Sequence, residues 1–417
     1  MLLGLPVAFS LGLLAIIMIM LFWGTPGLFS IAALAYGRVN SFLLVAVPLF
    51  IFMAEVIRHS GITDDAFTAL HRWVGTVPGG LAVSSQLACT FFAAVCGAST
   101  ATTATIGAIA VPEMIKRKYD KSLSTGSIAA GGALGVLIPP SILMIVYAEL
   151  AEVSVGAMFM GGIIPGIMLS SFFIAYIIIR CLINPSLGPP EKGVTWGQRI
   201  RSLPGIVPIL SIAVFMMVAI YMGIATTAEV AGLGTALALL LSFAFYRNLN
   251  WAKLKGAFYS ATKTTVFIIW ILVAATAFGH TLGYHQLPQQ LAQYIADLGV
   301  NRWVVIVLIN IILIFLGCVM DPIGIIMVLA PVFLPLVESL GFDMVWFGIV
   351  YVVNMEMAVI TPPLGMNLFV MKGIAPPEVT MWDIIRGALP FMLLELFGLA
   401  LVIIFPQIAL WLPSTMR

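Results

Sequence analysis

Two pairs of adjacent prolines, Pro139-Pro140 and Pro362-Pro363, each interrupt a long apolar run, and they restrict the possible folds more than any other feature of the chain. A Pro-Pro pair removes two backbone donors and disfavours helix in the residue before it, so a helix that reaches such a pair has to unwind. The two pairs stand in one register. Pro112 precedes Pro139 by 27 residues and Pro335 precedes Pro362 by 27, a constant offset of 223, while Phe91 and Phe315, or Gly97 and Asp321, are related at 224. Each copy also carries an earlier interruption: Gly97-Ala98-Ser99-Thr100 ahead of Pro112, and Asp321-Pro322-Ile323-Gly324 ahead of Pro335. A register kept over about fifty residues reads as an internal duplication.

What such interruptions mean depends on the solvent around them, and composition decides that. The chain is 62% hydrophobic and 9% charged, with a mean hydropathy of +1.14, and apolar runs of about 20 residues recur along its length. It reads as an all-α polytopic membrane protein. A net charge of +2 over 417 residues, without a basic stripe, carries no nucleic-acid signal. Cys89, Cys96, Cys181 and Cys318 lie in or beside apolar runs without metal or redox spacing, and read as packing residues. There is no His-Glu-x-x-His, no Gly-x-Ser-x-Gly and no phosphate loop, so neither a hydrolase nor a primary pump is expected.

In chain order, residues 3–24 form a first span, a short polar stretch with Arg38 and Asn40 leads to a second at 42–57, and 58–72 reads as an interfacial amphipathic helix. Residues 80–114 are apolar but carry small and hydroxylated residues at their middle, and neither half crosses ~30 Å of hydrocarbon. That pattern predicts a re-entrant helical hairpin. Residues 122–150 predict a transmembrane helix broken at the prolines. The second half repeats the plan: spans at 226–246 and 264–282, an arm at 285–300, a hairpin at 303–337, a broken helix at 343–372 and a closing span at 385–411. One more crossing, 204–222, lies between the halves. The domains expected are a first repeat over 1–180, a cytoplasmic loop with its connecting helix over 181–225, and a second repeat over 226–417.

An odd crossing between repeats inverts the second copy, and charge agrees. Lys116, Arg117, Lys118 and Lys121 follow the first hairpin, whereas Glu338 and Asp343 follow the second. The positive-inside rule puts these loops on opposite faces. Arg180, Lys192, Arg199, Arg201, Arg247, Lys253, Lys255 and Lys263 then fall inside, and Glu149 and Glu152 outside. The count places the N-terminus inside and the C-terminus outside, with Arg38 as the exception, read as a side chain snorkelling to the interface.

Inverted repeats that each hold a hairpin and a broken helix are the plan of secondary transporters, whose sites lie near the midplane, where freed carbonyls and helix ends converge. The interrupted elements supply oxygens and no His or Cys, a set that suits a hard ion such as Na⁺. The candidate sodium ligands are Gly97, Ser99, Thr100, Thr103, Gly135, Pro139, Asp321, Gly324, Asn354 and Thr361; the candidate substrate contacts are Ser99, Thr100, Pro140, Ser141, Pro362, Pro363 and Asn367. No transition metal is expected. Asp321 before Pro322 also reads as a helix N-cap, and the threonines as small packing residues. A channel of similar build stays open as an alternative.

The runs Gly97 to Pro112, Gly132 to Ser141 and Asn354 to Asn367 resemble those of the large membrane subunit of TRAP transporters, the tripartite ATP-independent periplasmic family. The resemblance covers essentially the whole chain. It implies Na⁺-driven uptake of an organic acid, of the C4-dicarboxylate, sialic acid or sugar-acid type, across a bacterial or archaeal cytoplasmic membrane. It further implies an elevator movement and delivery of the solute by a soluble periplasmic binding protein. A separate small membrane subunit is expected, since no four-helix block precedes residue 3. Ala98 departs from the family, which often has a second Ser beside the glycine. A stand-alone symporter of the same architecture is the alternative.

Overall fold

The computed structural model describes residues 7–190, 193–246 and 248–416. Residues 3–6 of the first expected span, with Lys192 and Arg247, lie outside those described. The first apolar run forms α1 (Val7–Trp23), and a turn at Gly24 and Pro26 leads into α2 (Leu28–Val39). Sequence alone leaves residues 28–39 as part of a polar link. Twelve residues are too few to stand out as a span, and such a helix owes its stability to tertiary packing. A helical turn at Phe42–Val45 and α3 (Ala46–Ser60) make a 19-residue apolar span, followed by amphipathic α4 (Ile62–Val74).

The first hairpin is α5 (Gly80–Cys96) and α6 (Ser99–Lys116). The first broken helix is α7 (Lys121–Ala133) and α8 (Ile142–Ala151), separated by a short turn and the Pro139-Pro140 peptide, which is cis. α9 (Val155–Ile183) follows, then α10 (Trp196–Ser202), and the segment Trp196–Gly205 bends by 52° into α11 (Val207–Tyr221). α12 (Thr227–Leu241) runs on to Tyr246, and α13 (Trp251–Tyr284) is 34 residues long. It begins well before the expected 264, because Asn250 caps it by accepting from the Lys253 amide, so Lys253, Lys255 and Lys263 ride on helix and not on a loop.

α14 (Leu287–Asp297) is the second amphipathic arm, and α15 (Arg302–Gly317) with α16 (Pro322–Ser339) is the second hairpin. α17 (Met344–Ile360) and α18 (Met366–Ile374) flank Pro362-Pro363, also cis. The closing span divides into α19 (Met381–Ile404) and α20 (Gln407–Ser414), because Pro406 cannot supply the amide that would continue the helix. Among the described residues, six helices are long and apolar enough to cross a membrane, or seven with the bent pair ending in α11. With that length of apolar helix, the molecule is a multi-pass membrane protein.

The core is built on the two broken helices. Every residue of α17 from Trp346 to Ile360 is buried, as is every residue of α7 from Leu123 to Ala133. They run antiparallel: the Tyr147 hydroxyl near the end of α8 donates to the Met344 carbonyl at the start of α17 (2.7 Å), and Lys121 Nζ at the start of α7 donates to the Glu378 carbonyl beyond α18 (2.8 Å). Around them the pairings cross between halves: α1 packs on α13 and α12 on α3, while α6 packs on α18 and α16 on α8. α7 and α19 cross backbone to backbone where Gly126 meets Gly387. Large apolar side chains such as Leu21, Phe29, Phe245 and Phe315 point outward, as hydrocarbon requires.

Charge separates the two ends. Trp73 Nε1 donates to the Arg199 carbonyl and the Tyr119 hydroxyl to the Pro189 carbonyl, which with the Lys121 contact gathers the basic segments 116–121 and 199–201 at one end. The other end holds Glu149, Glu152 and Glu338. Arg38 lies there too, but it does not snorkel: Nη1 pairs with Glu149 Oε1 at 3.1 Å, and the Ser41 hydroxyl donates to the other carboxylate oxygen.

Candidate functional site

The first hairpin tip and the first break meet. Gly97 sits at φ +64, and a Cβ there would stand 2.5 Å from the Pro140 carbonyl oxygen, so both backbone angle and space demand glycine. The Ile142 amide donates to the Gly97 carbonyl at 3.4 Å. The Ala98 carbonyl accepts from Thr102 Oγ1 at 2.9 Å, and Gly135 packs against that same carbonyl. Ser141 caps α8 by accepting from the Met144 amide, while its hydroxyl donates to the Val136 carbonyl at 2.5 Å. Pro139 is buried beside them, Ser99 opens α6 and is buried, and Thr100 faces a cavity.

Beneath this contact, buried polar atoms without hydrogen-bond partners surround residues 129–132 of α7. Asn367 Nδ2 donates to the Ala129 carbonyl at 3.0 Å, but its Oδ1 has no partner. Both polar atoms of the Gln86 amide and the Thr103 hydroxyl are in the same condition, packed against Gly131 and Gly132 respectively. Leaving such groups unmatched is costly, so the place is suited to a polar or cationic guest. Gln86 was missed by sequence reasoning. The signal was available, because at the offset of 224 Gln86 answers Asn310, and Asn354 Nδ2 donates to Asn310 Oδ1 at 2.9 Å.

The second tip is arranged differently. Asp321 caps α16, accepting from the Gly324 amide at 3.0 Å with Pro322 in the first turn, and the Tyr351 hydroxyl donates to the Pro322 carbonyl at 2.6 Å. The hairpin lies against the body of α17, Gly317 on Ala358, and Gly324 faces Val7. Thr361 ends α17 with its hydroxyl donated to the Met357 carbonyl at 2.6 Å and 3.2 Å from the Met392 sulfur. Pro362 is half-buried and Pro363 exposed. Among the described residues no hydrogen bond joins Asp321 or Gly324 to Thr361, Pro362 or Pro363. Contacts join Gly97, Gly135, Pro140 and Ser141 at the first tip and set Thr103 and Asn367 against α7, while Asp321 and Gly324 belong to the second tip.

A cavity of about 600 Å³ opens on the first tip. Ala98, Thr100 and Thr105 of the hairpin, Ile142 of α8 and Val370 of α18 form one side; Glu55 and Arg58 of α3, Asp64 of α4 and Thr264 of α13 form the other. Arg58 reaches one Glu55 oxygen with Nε at 3.0 Å and Nη2 at 2.6 Å, and the second Glu55 oxygen accepts from Ser260 at 2.9 Å. Burial and the neighbouring Asp65 carboxylate push the Asp64 carboxyl above the ordinary range. Arg58 supplies this cavity with a guanidinium that a negatively charged guest could engage, and the sequence did not single it out. A larger cavity of about 870 Å³, lined by Asp65, Arg72 and Arg201, touches none of the expected site residues. A third, of about 690 Å³, lies at the acidic end by Arg38, Glu152 and Glu338.

The sequence profile described as "Tripartite ATP-independent periplasmic transporter, DctM component" matches residues 1–408. The C4-dicarboxylate TRAP transporter large permease protein DctM of Pseudomonas aeruginosa is 33% identical over 407 residues, covering 97% of this chain and 94% of that protein. The sialic acid TRAP transporter large permease protein SiaM of Vibrio cholerae is 29% identical, covering 99% and 95%. Among solved structures, the YdaH transporter of Alcanivorax borkumensis superposes with a TM-score of 0.69 at 15% identity, covering 96% of each chain. That likeness concerns the fold.

Proposed function

The chain belongs to the family of tripartite ATP-independent periplasmic transporters, as a DctM component and so a large permease subunit and not an enzyme, and from this we propose that it carries an organic acid inward across the cytoplasmic membrane, coupled to Na⁺. The observation that carries the proposal is the cavity in which the first hairpin tip, α8 and α18 face Arg58. The relatives named for C4-dicarboxylates and for sialic acid both handle carboxylates. A carboxylate entering this cavity would take the Arg58 guanidinium from Glu55, the planar fork being matched to either partner. Na⁺ would occupy the oxygen-lined region of Gly97, Thr103, Gly135 and Asn367, and would offset the charge of the acid while both are away from water.

In this reading α5–α8 and α15–α18 form the moving body, with α1–α3 and α11–α13 as its frame, and the movement is of elevator type. The crossed pairings and the antiparallel broken helices support two inverted repeats, over 1–180 and 226–417, joined by 181–225. The basic end lies in the cytoplasm, so the N-terminus is inside and the C-terminus outside. A soluble binding protein delivers the acid to the opposite end, and a small membrane subunit accompanies the chain. The test is uptake of a labelled C4-dicarboxylate or sialic acid into proteoliposomes holding the chain, its small subunit and the binding protein. Saturable uptake that requires an inward Na⁺ gradient is expected; flux that persists at full rate without Na⁺, or that fails to saturate, would overturn the proposal.

A further inference from the structure

Glu356 and Glu395 face no established role, and their surroundings are unusual for acids. Both side chains are wholly buried, and none of their four carboxyl oxygens has a hydrogen-bond partner. They stand on α17 and α19, between two recorded contacts of those helices: Trp346 Nε1 to the Val402 carbonyl on one side, and Thr361 to Met392 on the other. The antiparallel register that these contacts set brings the two carboxyls into one neighbourhood. Two unpaired carboxylates cannot both stay ionised in such a place, since burial and mutual repulsion oppose it together.

Among the described residues, no basic group faces the pair. On the helices packed against α17 and α19, the charged residues of the basic end are Lys121, Arg180, Lys372, Asp383 and Arg386, with Lys121 and Lys372 donated to backbone carbonyls. At the other end are Glu149, paired with Arg38, and Arg302 and Glu338. The buried tyrosines Tyr147 and Tyr351 donate their hydroxyls to the Met344 and Pro322 carbonyls. The missing positive charge must therefore come from solution. We propose that Glu356 and Glu395 form a proton-binding site in the core of the molecule, occupied at neutral pH and set within about one helical turn of Met392 and the α17 break. Removal of its protons would make two like charges push α17 and α19 apart, beside the segment that begins at Thr361.

The existence of the site rests on burial and missing partners; its consequence for transport rests on the transport reading above. Infrared spectroscopy of the full-length chain in lipid nanodiscs, labelled with ¹³C-glutamate and titrated from pH 6 to 9, tests the first. A glutamic-acid carbonyl band that survives to about pH 8 in the wild-type chain, weakens in E356Q and in E395Q, and is unchanged by NaCl is expected, since among the described residues every other glutamate has some exposure to water. Absence of any such band, or its disappearance on adding NaCl at constant pH, would overturn the proton site. Labelling the wild-type chain keeps the test valid even if a Gln variant fails to fold. No substrate is present, so failure here is distinct from failure of Na⁺-driven uptake. For the second, E395Q should flatten the pH dependence of uptake between pH 6 and 9; an unchanged profile would overturn the link to transport.

Discussion

Arg58 holds its side chain partly in solvent and shares a carboxylate that Ser260 also engages, so its own contribution to stability is small. Its importance is expected in recognition. Arg58→Ala should raise the KM for an acidic solute by roughly 10- to 100-fold, the worth of a charged hydrogen bond, with little change in Tm; Arg58→Lys should recover only part, because an ammonium does not reproduce the fork. Initial uptake rates against solute concentration check this. Thr103 and Thr361 separate by the same reasoning. The Thr103 hydroxyl is buried and unmatched, whereas that of Thr361 is already donated to Met357. Thr103→Val should weaken Na⁺ activation several-fold and Thr361→Val less, since the donated hydroxyl keeps only its oxygen lone pairs for an ion, measured as the Na⁺ concentration for half-maximal uptake. Thr103 was legible in the sequence because it lies in the interrupted stretch. Gln86 was legible only through its register with Asn310, and Arg58 was not, since it gains meaning only from the helices that folding brings beside it.

At the scale of elements, the interruptions were the most legible feature, because proline and glycine act on the backbone wherever they stand. Both hairpins and both broken helices lie within a few residues of their expected limits. The errors fell where no backbone signal exists. α2 is too short to stand out from its neighbours, α13 begins among lysines that read as a loop, and the split of α19 from α20 rests on one proline in an apolar run. Gly97 tests the tip directly. Gly97→Ala adds about 1–2 kcal/mol of left-handed strain to a close approach on the Pro140 carbonyl, so a lower Tm is expected together with loss of uptake. Thermal unfolding in detergent, alongside uptake, measures both.

For the whole molecule, the segregation of charge makes the clearest prediction. In a Cys318→Ser background, Glu338→Cys should react with a membrane-impermeant maleimide added outside intact cells, and Lys118→Cys only after permeabilisation; labelling of both from one side would remove the inverted arrangement. The native Cys89, Cys96 and Cys181 are buried and contribute little background. The crossing at Gly126 and Gly387 adds something about where such a body can pivot. With no side chains to act as a bearing, α7 and α19 are riveted together, and Lys121 and Lys372 pin the entrance to α19 from either side. In the elevator movement proposed above, the last long helix would travel as cargo of the broken ones, with the swivel at its far end, the Phe405-Pro406 joint, beyond which α20 packs on α9.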